Sequence, residues 1–260
     1  MSTEWDARTY ERVSDPQLSW GRAVIERIPL RGDETALDAG CGTGRVTRLL
    51  AERVPRGRVI GVDASRAMVD EAAARLADLA PRVSVRQADL LELELEEPVD
   101  LIVSTATFHW ILDHDALFRR LLAALRPGGR LVAQCGGRGN VAAALAAVGA
   151  VAAEEPYAAS LSGFSQTWTF EGPEDTVTRL QDAGFDEAHA WLEEAPAHFD
   201  DVEVAAEFLM TVVVRTYVEL MPPAERAPFA REVAARLADE EGRVVVDYVR
   251  LNMEARRPAR

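Results

Sequence analysis

No lysine occurs in the 260 residues, and all 29 basic side chains are arginine. Schiff-base catalysis and the Walker A phosphate loop each need a lysine amine, so both are excluded. Positive charge is also short overall: 43 acidic residues leave a net charge of −14. A broad basic face that grips nucleic acid is therefore not expected. Cysteine is scarce too. Cys41 and Cys135 are too few for a disulfide framework and belong to no CxxC or Cys/His ligand spacing, so no metal is expected. No apolar run approaches the roughly 18–20 residues of a membrane span. The opening Met1-Ser2-Thr3-Glu4-Trp5-Asp6 lacks the basic and apolar stretches of a signal peptide. Together these absences predict a reduced, cytoplasmic, globular protein with neither a nucleic-acid nor a membrane partner.

What is present is an alternation. Apolar positions at helical spacing (Tyr10, Val13, then Ala23, Val24, Ile28), broken around Asp15-Pro16 and Pro29, predict two short leading helices. Strand-like runs at 35–39, 58–62, 83–85, 99–104 and 130–133 then alternate with helical stretches at 45–54, 67–79 and 116–125. Such intervals predict βαβ units and a mostly parallel sheet. Farther on, 140–153 and 174–183 read as helices, and 187–195 and 244–253 as strands. Between those strands lie two helical stretches, 202–220 and 224–240, parted by Pro222-Pro223. Neither flank resembles a linker, so one domain is expected. Its parts are N-terminal helices over 1–34, an α/β core over 35–200, a helical insertion over 201–241 and a last strand over 242–256.

The most specific motif is Ala36-Leu37-Asp38-Ala39-Gly40-Cys41-Gly42-Thr43-Gly44, directly after the first strand and opening a helix. Glycine lets the backbone approach a ligand closely, and the helix end offers free N–H groups. Asp63 ends the second strand, 23 residues after Gly40, where a carboxylate can accept from a ribose diol. A dinucleotide fold asks for G-x-G-x-x-G/A, whereas Gly40, Gly42 and Gly44 read G-x-G-x-G. A carboxylate two places before the first glycine also serves no purpose at an NAD site. Asp38, the glycines and Asp63 resemble the first motif of class I S-adenosylmethionine-dependent methyltransferases. Gln87-Ala88-Asp89-Leu90, the run 99–104 and the turn Leu125-Arg126-Pro127-Gly128-Gly129-Arg130-Leu131 agree with the same family. The resemblance implies a Rossmann-like seven-stranded, mostly parallel sheet with helices on both faces and a helical lid between strands six and seven. It implies S-adenosyl-L-methionine contacts from Asp38, Gly40, Gly42, Gly44, Asp63, Ala64, Met68, Ala88, Asp89, Leu90 and Ser104. Taken alone, Asp89 reads as a turn residue or helix cap.

Over nearly the whole chain the sequence further resembles the trans-aconitate methyltransferase group. The carrying pieces are Ala106-Thr107-Phe108-His109-Trp110 with Asp113-His114, then Val214-Arg215-Thr216-Tyr217, and Val249-Arg250-Leu251 through Arg256. Two departures fall on the acceptor side: glutamine is usual where His109 stands, and an arginine near Ser19 is missing. The resemblance implies methyl transfer to a small molecule, foremost a carboxylic acid, with His109, Trp110 and Arg215 in the acceptor machinery. A carboxylate is ionised near neutral pH and needs no strong base. Arg215 can hold one as a bidentate fork, or stand as a surface ion-pair partner. For a hydroxyl or carbon acceptor His109 becomes the base. His109, Asp113, His114 and Asp115 also invite a metal, but the zinc pattern places a second histidine at i+4, and Asp113 reads better as a helix cap. Trp110, Trp168, Trp191 and Phe208 serve as pocket walls or plain core. Tyr10 and Trp20 form a second candidate wall. Rival functions are an NAD-dependent oxidoreductase and a non-catalytic S-adenosylmethionine binder.

Overall fold

Short β-branched runs fold as strands here because both of their faces find apolar cover. The computed structural model describes residues 15–259, which divide into two compact units. The first takes the chain to Arg138, then Trp168–Glu193 and Arg250 onward. Its elements begin with α1 (Asp15–Arg27), β1 (Thr35–Ala39), α2 (Arg45–Arg53), β2 (Arg58–Asp63), α3 (Arg66–Arg75) and β3 (Val83–Gln87). They continue with β4 (Val99–Thr105), α4 (His114–Ala124) and β5 (Leu125–Gly136). The expected helix around Tyr10 and Val13 lies outside the described residues; the second leading helix is α1.

The same unit also holds the next helix, Pro173–Asp182, and two further strands, Asp186–Glu194 and Val249–Arg256. In chain order, with the second unit's elements counted, these are α7, β6 and β9. The seven-stranded sheet runs β3-β2-β1-β4-β5-β9-β6. β1 through β5 pair in parallel and β9 runs antiparallel to β5. Side-chain alternation decides which helix covers which face. Ala36, Leu101 and Val103 join Val24, Ile25, Leu50 and Ala72 of α1–α3 in one buried cluster. Leu37, Ala39 and Ile102 join Leu117, Phe118, Leu121 and Leu180 of α4 and α7 in the other. The expected doubly covered, Rossmann-like sheet is the one found. The glycine turn ahead of β5 is a difference. Leu125 already pairs with Val99, and the ladder shifts register before Leu101 pairs with Arg130, so Pro127-Gly128-Gly129 forms a bulge inside the strand. Gly128, at φ 77°, donates its N–H to the Arg257 carbonyl at 3.0 Å.

The second unit comprises Gly139–Thr167 and Glu194–Val249. It holds α5 (Ala142–Ala152), α6 (Tyr157–Leu161), β7 (Ala197–Phe199), α8 (Val202–Val212), α9 (Arg215–Val218), α10 (Pro223–Leu237) and β8 (Val244–Val246). β7 and β8 pair antiparallel in their own two-stranded sheet. Phe208 packs on Phe199 and Tyr248, and Tyr157 meets Phe229 edge-on, so these aromatics are core. The helical stretch expected over 202–220 breaks at Val213-Val214, and the strand expected over 244–253 breaks after Val246. In the second case Asp247 turns out of the ladder. Its carboxylate accepts the Ala143 N–H at 2.8 Å, satisfying a donor at the start of α5.

Candidate functional site

The carboxyl ends of β1 through β4 carry the predicted residues of the first unit, the end at which open α/β sheets hold their ligands. Gly40, Gly42 and Gly44 all take positive φ, at 85°, 52° and 81°. Gly40 cannot carry a side chain because a Cβ would overlap Thr107. At Gly42 a Cβ would meet nothing within 4 Å, so this backbone borders open space. Asp38, fully buried on β1, accepts from the Thr47 hydroxyl at 2.6 Å through Oδ2. Oδ1 is buried with no hydrogen-bond partner among the described residues. Burial raises its pKa to about 6, with the Thr47 bond lowering it and the Asp63 charge raising it. An unmatched, buried acceptor beside a glycine loop fits a cationic amine, and S-adenosylmethionine carries one.

Asp63 is held at both oxygens. Oδ2 accepts from Gly42 N–H and Oδ1 from Ser65 N–H, each at 2.9 Å. Ser65 caps α3, under which Met68 is buried, while Ala64 is exposed and its carbonyl accepts from Gln87. Ala88 ties the β3 loop to β2 through the Asp63 carbonyl at 3.0 Å. Asp89 is exposed and caps the turn Leu90–Glu92 by accepting from Leu91 N–H at 2.9 Å, with Leu90 buried beneath it. Ser104 is buried on β4 and spends its hydroxyl on the Ala39 carbonyl at 2.6 Å, tying β4 to β1. Beneath the loop the Cys41 thiol is buried and its pKa pushed well up by desolvation, so it does not serve as a nucleophile.

After β4, Ala106 takes φ 56°, and the turn Phe108–Trp110 follows. His109 is half-buried, and its Nδ1 faces the Gly136 N–H of β5 at 3.3 Å. Since Nδ1 accepts, the ring proton sits on Nε2. Desolvation, then the charges of Arg250 and His114, lower the His109 pKa to about 3. The imidazole is a neutral donor and a poor base. Trp168 meets Trp110 edge-on at 6.0 Å, Phe170 lies 5.9 Å from His109, and Thr169 N–H donates to the His109 carbonyl at 2.8 Å. The segment 168–170 thus braces the turn. The metal alternative finds its candidate ligands engaged elsewhere. Asp113 caps α4 at Ala116 N–H, His114 Nε2 bonds the Phe108 carbonyl, and Asp115 pairs with Arg179. Among the described residues no three His, Cys, Asp or Glu side chains cluster to hold an ion.

Arg215 lies in the second unit. It is buried at the start of α9, with its Nε 2.8 Å from Glu219 on the next turn. One residue of the site escaped the sequence reading. Thr47 fixes Asp38, at a helical spacing that any α2 residue shares.

A family profile described as a methyltransferase domain matches residues 36–129. The trans-aconitate 2-methyltransferase of Methylobacterium nodulans is 29% identical, covering 98% of this chain and 98% of that protein. That of an Azoarcus species is 42% identical over 130 residues, half of each chain. In architecture the chain is similar to Haemonchus contortus phosphoethanolamine N-methyltransferase 2 solved with S-adenosyl-L-methionine. The TM-score is 0.62 at 19% identity, over 97% of this chain and 56% of that one. It is also similar to the YcgJ protein of Bacillus subtilis, with a TM-score of 0.64 at 14% identity, over 92% of this chain and 99% of that one. No helix among the described residues is long and apolar enough to cross a membrane.

Proposed function

We propose that this chain, a class I S-adenosylmethionine-dependent methyltransferase of the trans-aconitate methyltransferase group, methylates a carboxylate of a small organic acid. The observation that carries the acceptor class is the state of His109. With Nδ1 accepting from Gly136 and the ring held neutral, it offers an Nε2–H donor and no base. A hydroxyl acceptor needs its proton removed; a carboxylate does not. Relatives named as trans-aconitate 2-methyltransferases support the same class.

When bound, S-adenosylmethionine supplies a methyl group already activated on a sulfonium. The chain's residues hold and orient. Asp38 Oδ1 would receive the ammonium, and the carboxylate of Asp63, pinned by Gly42 and Ser65, would accept from the ribose hydroxyls. Gly42 leaves room for close backbone approach. Ala64, Met68, Ala88 and Leu90 would line the adenine end, and Asp89 would meet its amine. Ser104 acts indirectly, fixing the β1 end. His109 Nε2–H and the Trp110 indole donate to acceptor oxygens, and the Trp168–Phe170 segment excludes water around them. A small acceptor in the cytoplasm is part of this reading, supported by the net charge of −14 and by the two buried free thiols.

The test is product analysis with labelled cofactor against a panel of small di- and tricarboxylic acids, trans-aconitate included, alongside phenols and amines. A base-labile methyl ester from an acid is the expected product. Methylation confined to phenols or amines overturns the acceptor class.

A further inference from the structure

The geometry points to Thr107 as the residue that locks the acceptor turn to the cofactor loop, so that a filled cofactor site tightens binding of the acid. The inference rests on the proposed function above and adds a positioning residue to it. The β1–β4 ladder pairs Asp38 with Val103. Beyond that pair, two hydroxyls from the end of β4 carry the connection on. Ser104 donates to the Ala39 carbonyl at 2.6 Å. The Thr107 hydroxyl lies 3.3 Å from the Gly40 carbonyl and 3.1 Å from the Thr105 carbonyl of its own strand. Thr107 stands just before the turn Phe108–Trp110, where a threonine ordinarily caps by accepting from a backbone N–H. Here its hydroxyl makes no such cap. Its side chain instead fills the space that a Cβ on Gly40 would take. On the other side, its carbonyl accepts the Trp110 N–H at 2.9 Å and closes the turn that carries His109 and Trp110.

One residue is thus bonded to both halves of the proposed reaction centre. Ala106, the residue before it, is gripped as well. Held at φ 56°, it donates its N–H to the Gln134 carbonyl of β5 at 2.7 Å. A non-glycine residue stays in that region only where its neighbours fix it, so the path from β4 to the turn has little slack. Two other ties of the turn lead elsewhere. His114 Nε2 meets the Phe108 carbonyl at 2.9 Å from α4, and Thr169 N–H reaches the His109 carbonyl from the 168–170 segment. The Thr107 tie leads to the glycine loop, and the loop is the side with freedom to lose. Gly40, Gly42 and Gly44 all take positive φ, and glycine gives up more conformational freedom than any other residue when it is fixed. A cofactor seated on the loop fixes it, and Thr107 passes that restraint to the turn. An acid arriving second meets His109 and Trp110 already ordered and binds at a smaller entropic cost. Coupling of this kind is reciprocal, so the acid tightens cofactor binding by the same factor.

The experiment measures trans-aconitate binding by calorimetry, with and without saturating S-adenosylhomocysteine, the demethylated cofactor that cannot react. In wild type the acid should bind roughly 10-fold more tightly in its presence, within the usual range of coupling between two sites. Thr107→Val keeps the branched shape beside Gly40 and deletes the hydroxyl. Its ratio should fall to about twofold or less, while S-adenosylhomocysteine affinity without acid stays within about threefold of wild type. Thr107→Ser keeps the hydroxyl and should keep most of the ratio. A residue that only supports the fold would lower the melting temperature and leave the ratio where it was. Equal acid affinity with and without S-adenosylhomocysteine in wild type overturns the inference, and so does a full ratio in Thr107→Val. A ratio lost in Thr107→Ser overturns the assignment to the hydroxyl. Should Thr107→Val fail to fold, amide exchange in wild type decides. S-adenosylhomocysteine alone should slow exchange of the Trp110 and Ile111 N–H groups, which donate to the Thr107 and Phe108 carbonyls, by at least about threefold. Unaltered exchange there refutes the coupling. If wild type binds and esterifies no acid in the panel, the carboxylate reading falls, and the exchange measurement, which needs no acid, still decides the link between loop and turn.

Discussion

The Thr47 hydroxyl donates to Asp38 Oδ2 at 2.6 Å, so helix α2 reaches back to orient the carboxylate on the strand that precedes it. The second oxygen is buried with no hydrogen-bond partner among the described residues. Burial lifts the Asp38 pKa from 3.8 to about 6. Between those values the folded state holds a proton that the unfolded state has released, so this group adds stability as pH falls below about 6 and removes it above. Asp38→Asn keeps the acceptor for Thr47 and deletes the charge. Thermal melts at pH ~7.5 without cofactor should show the variant more stable than wild type, on the order of 2 kcal/mol. Calorimetry should show S-adenosylmethionine binding weakened at least about tenfold. Equal cofactor affinity in the two proteins contradicts the ammonium contact.

Gly40 and Gly42 separate folding from binding. Both take positive φ, but only Gly40 abuts Thr107. Gly40→Ala adds an overlap to the backbone strain and should cost several kcal/mol, roughly 2–4, seen as a large fall in melting temperature. Gly42→Ala points its methyl into open space and should cost only about 1 kcal/mol, the price of a left-handed alanine. Its defect should appear in cofactor Kd instead. If Gly42→Ala binds cofactor as wild type does, the loop does not cradle it.

The glycine loop and the first strands were legible because their signals are local. β1 through β4 are short apolar runs, and the glycines follow β1 at fixed offsets. Asp113 was readable as a cap because its partner, Ala116, lies three residues on. What escaped the sequence depends on distant partners. Ser104 donates its hydroxyl to the Ala39 carbonyl, 65 positions away, a partner that no local pattern announces. Asp247 sits in a run of strand formers, and only the start of α5 explains why the strand stops there.

Asp63 ties two backbone donors and, in the proposed cofactor site, also meets the ribose, so its removal should hurt twice. Asp63→Ala frees the Gly42 and Ser65 N–H groups. Cofactor Kd should rise by about 30-fold or more, and the cofactor-free protein should lose about 1–2 kcal/mol in denaturant unfolding. Asp63→Asn keeps one acceptor oxygen and should recover part of the stability with less of the affinity. Unchanged affinity in Asp63→Ala contradicts the ribose contact.

His109 supplies the pH test of the mechanism. Its pKa lies near 3 instead of 6.5, chiefly through burial. The folded state therefore declines a proton that the unfolded chain accepts, and this group costs stability as pH falls from about 6.5 toward 3. His109→Gln removes that loss and should unfold at a lower pH than wild type in an acid titration. Its amide replaces the Nε2–H donor, so methyl transfer to the acid should stay within about tenfold of wild type, while His109→Ala should fall roughly 10–100-fold. For wild type, kcat/KM should show no inflection from an imidazole between about pH 5.5 and 8.5, because the ring is neutral throughout. An inflection near pH 6.5 that disappears in His109→Gln would instead identify a working base, and the acceptor would then be a hydroxyl.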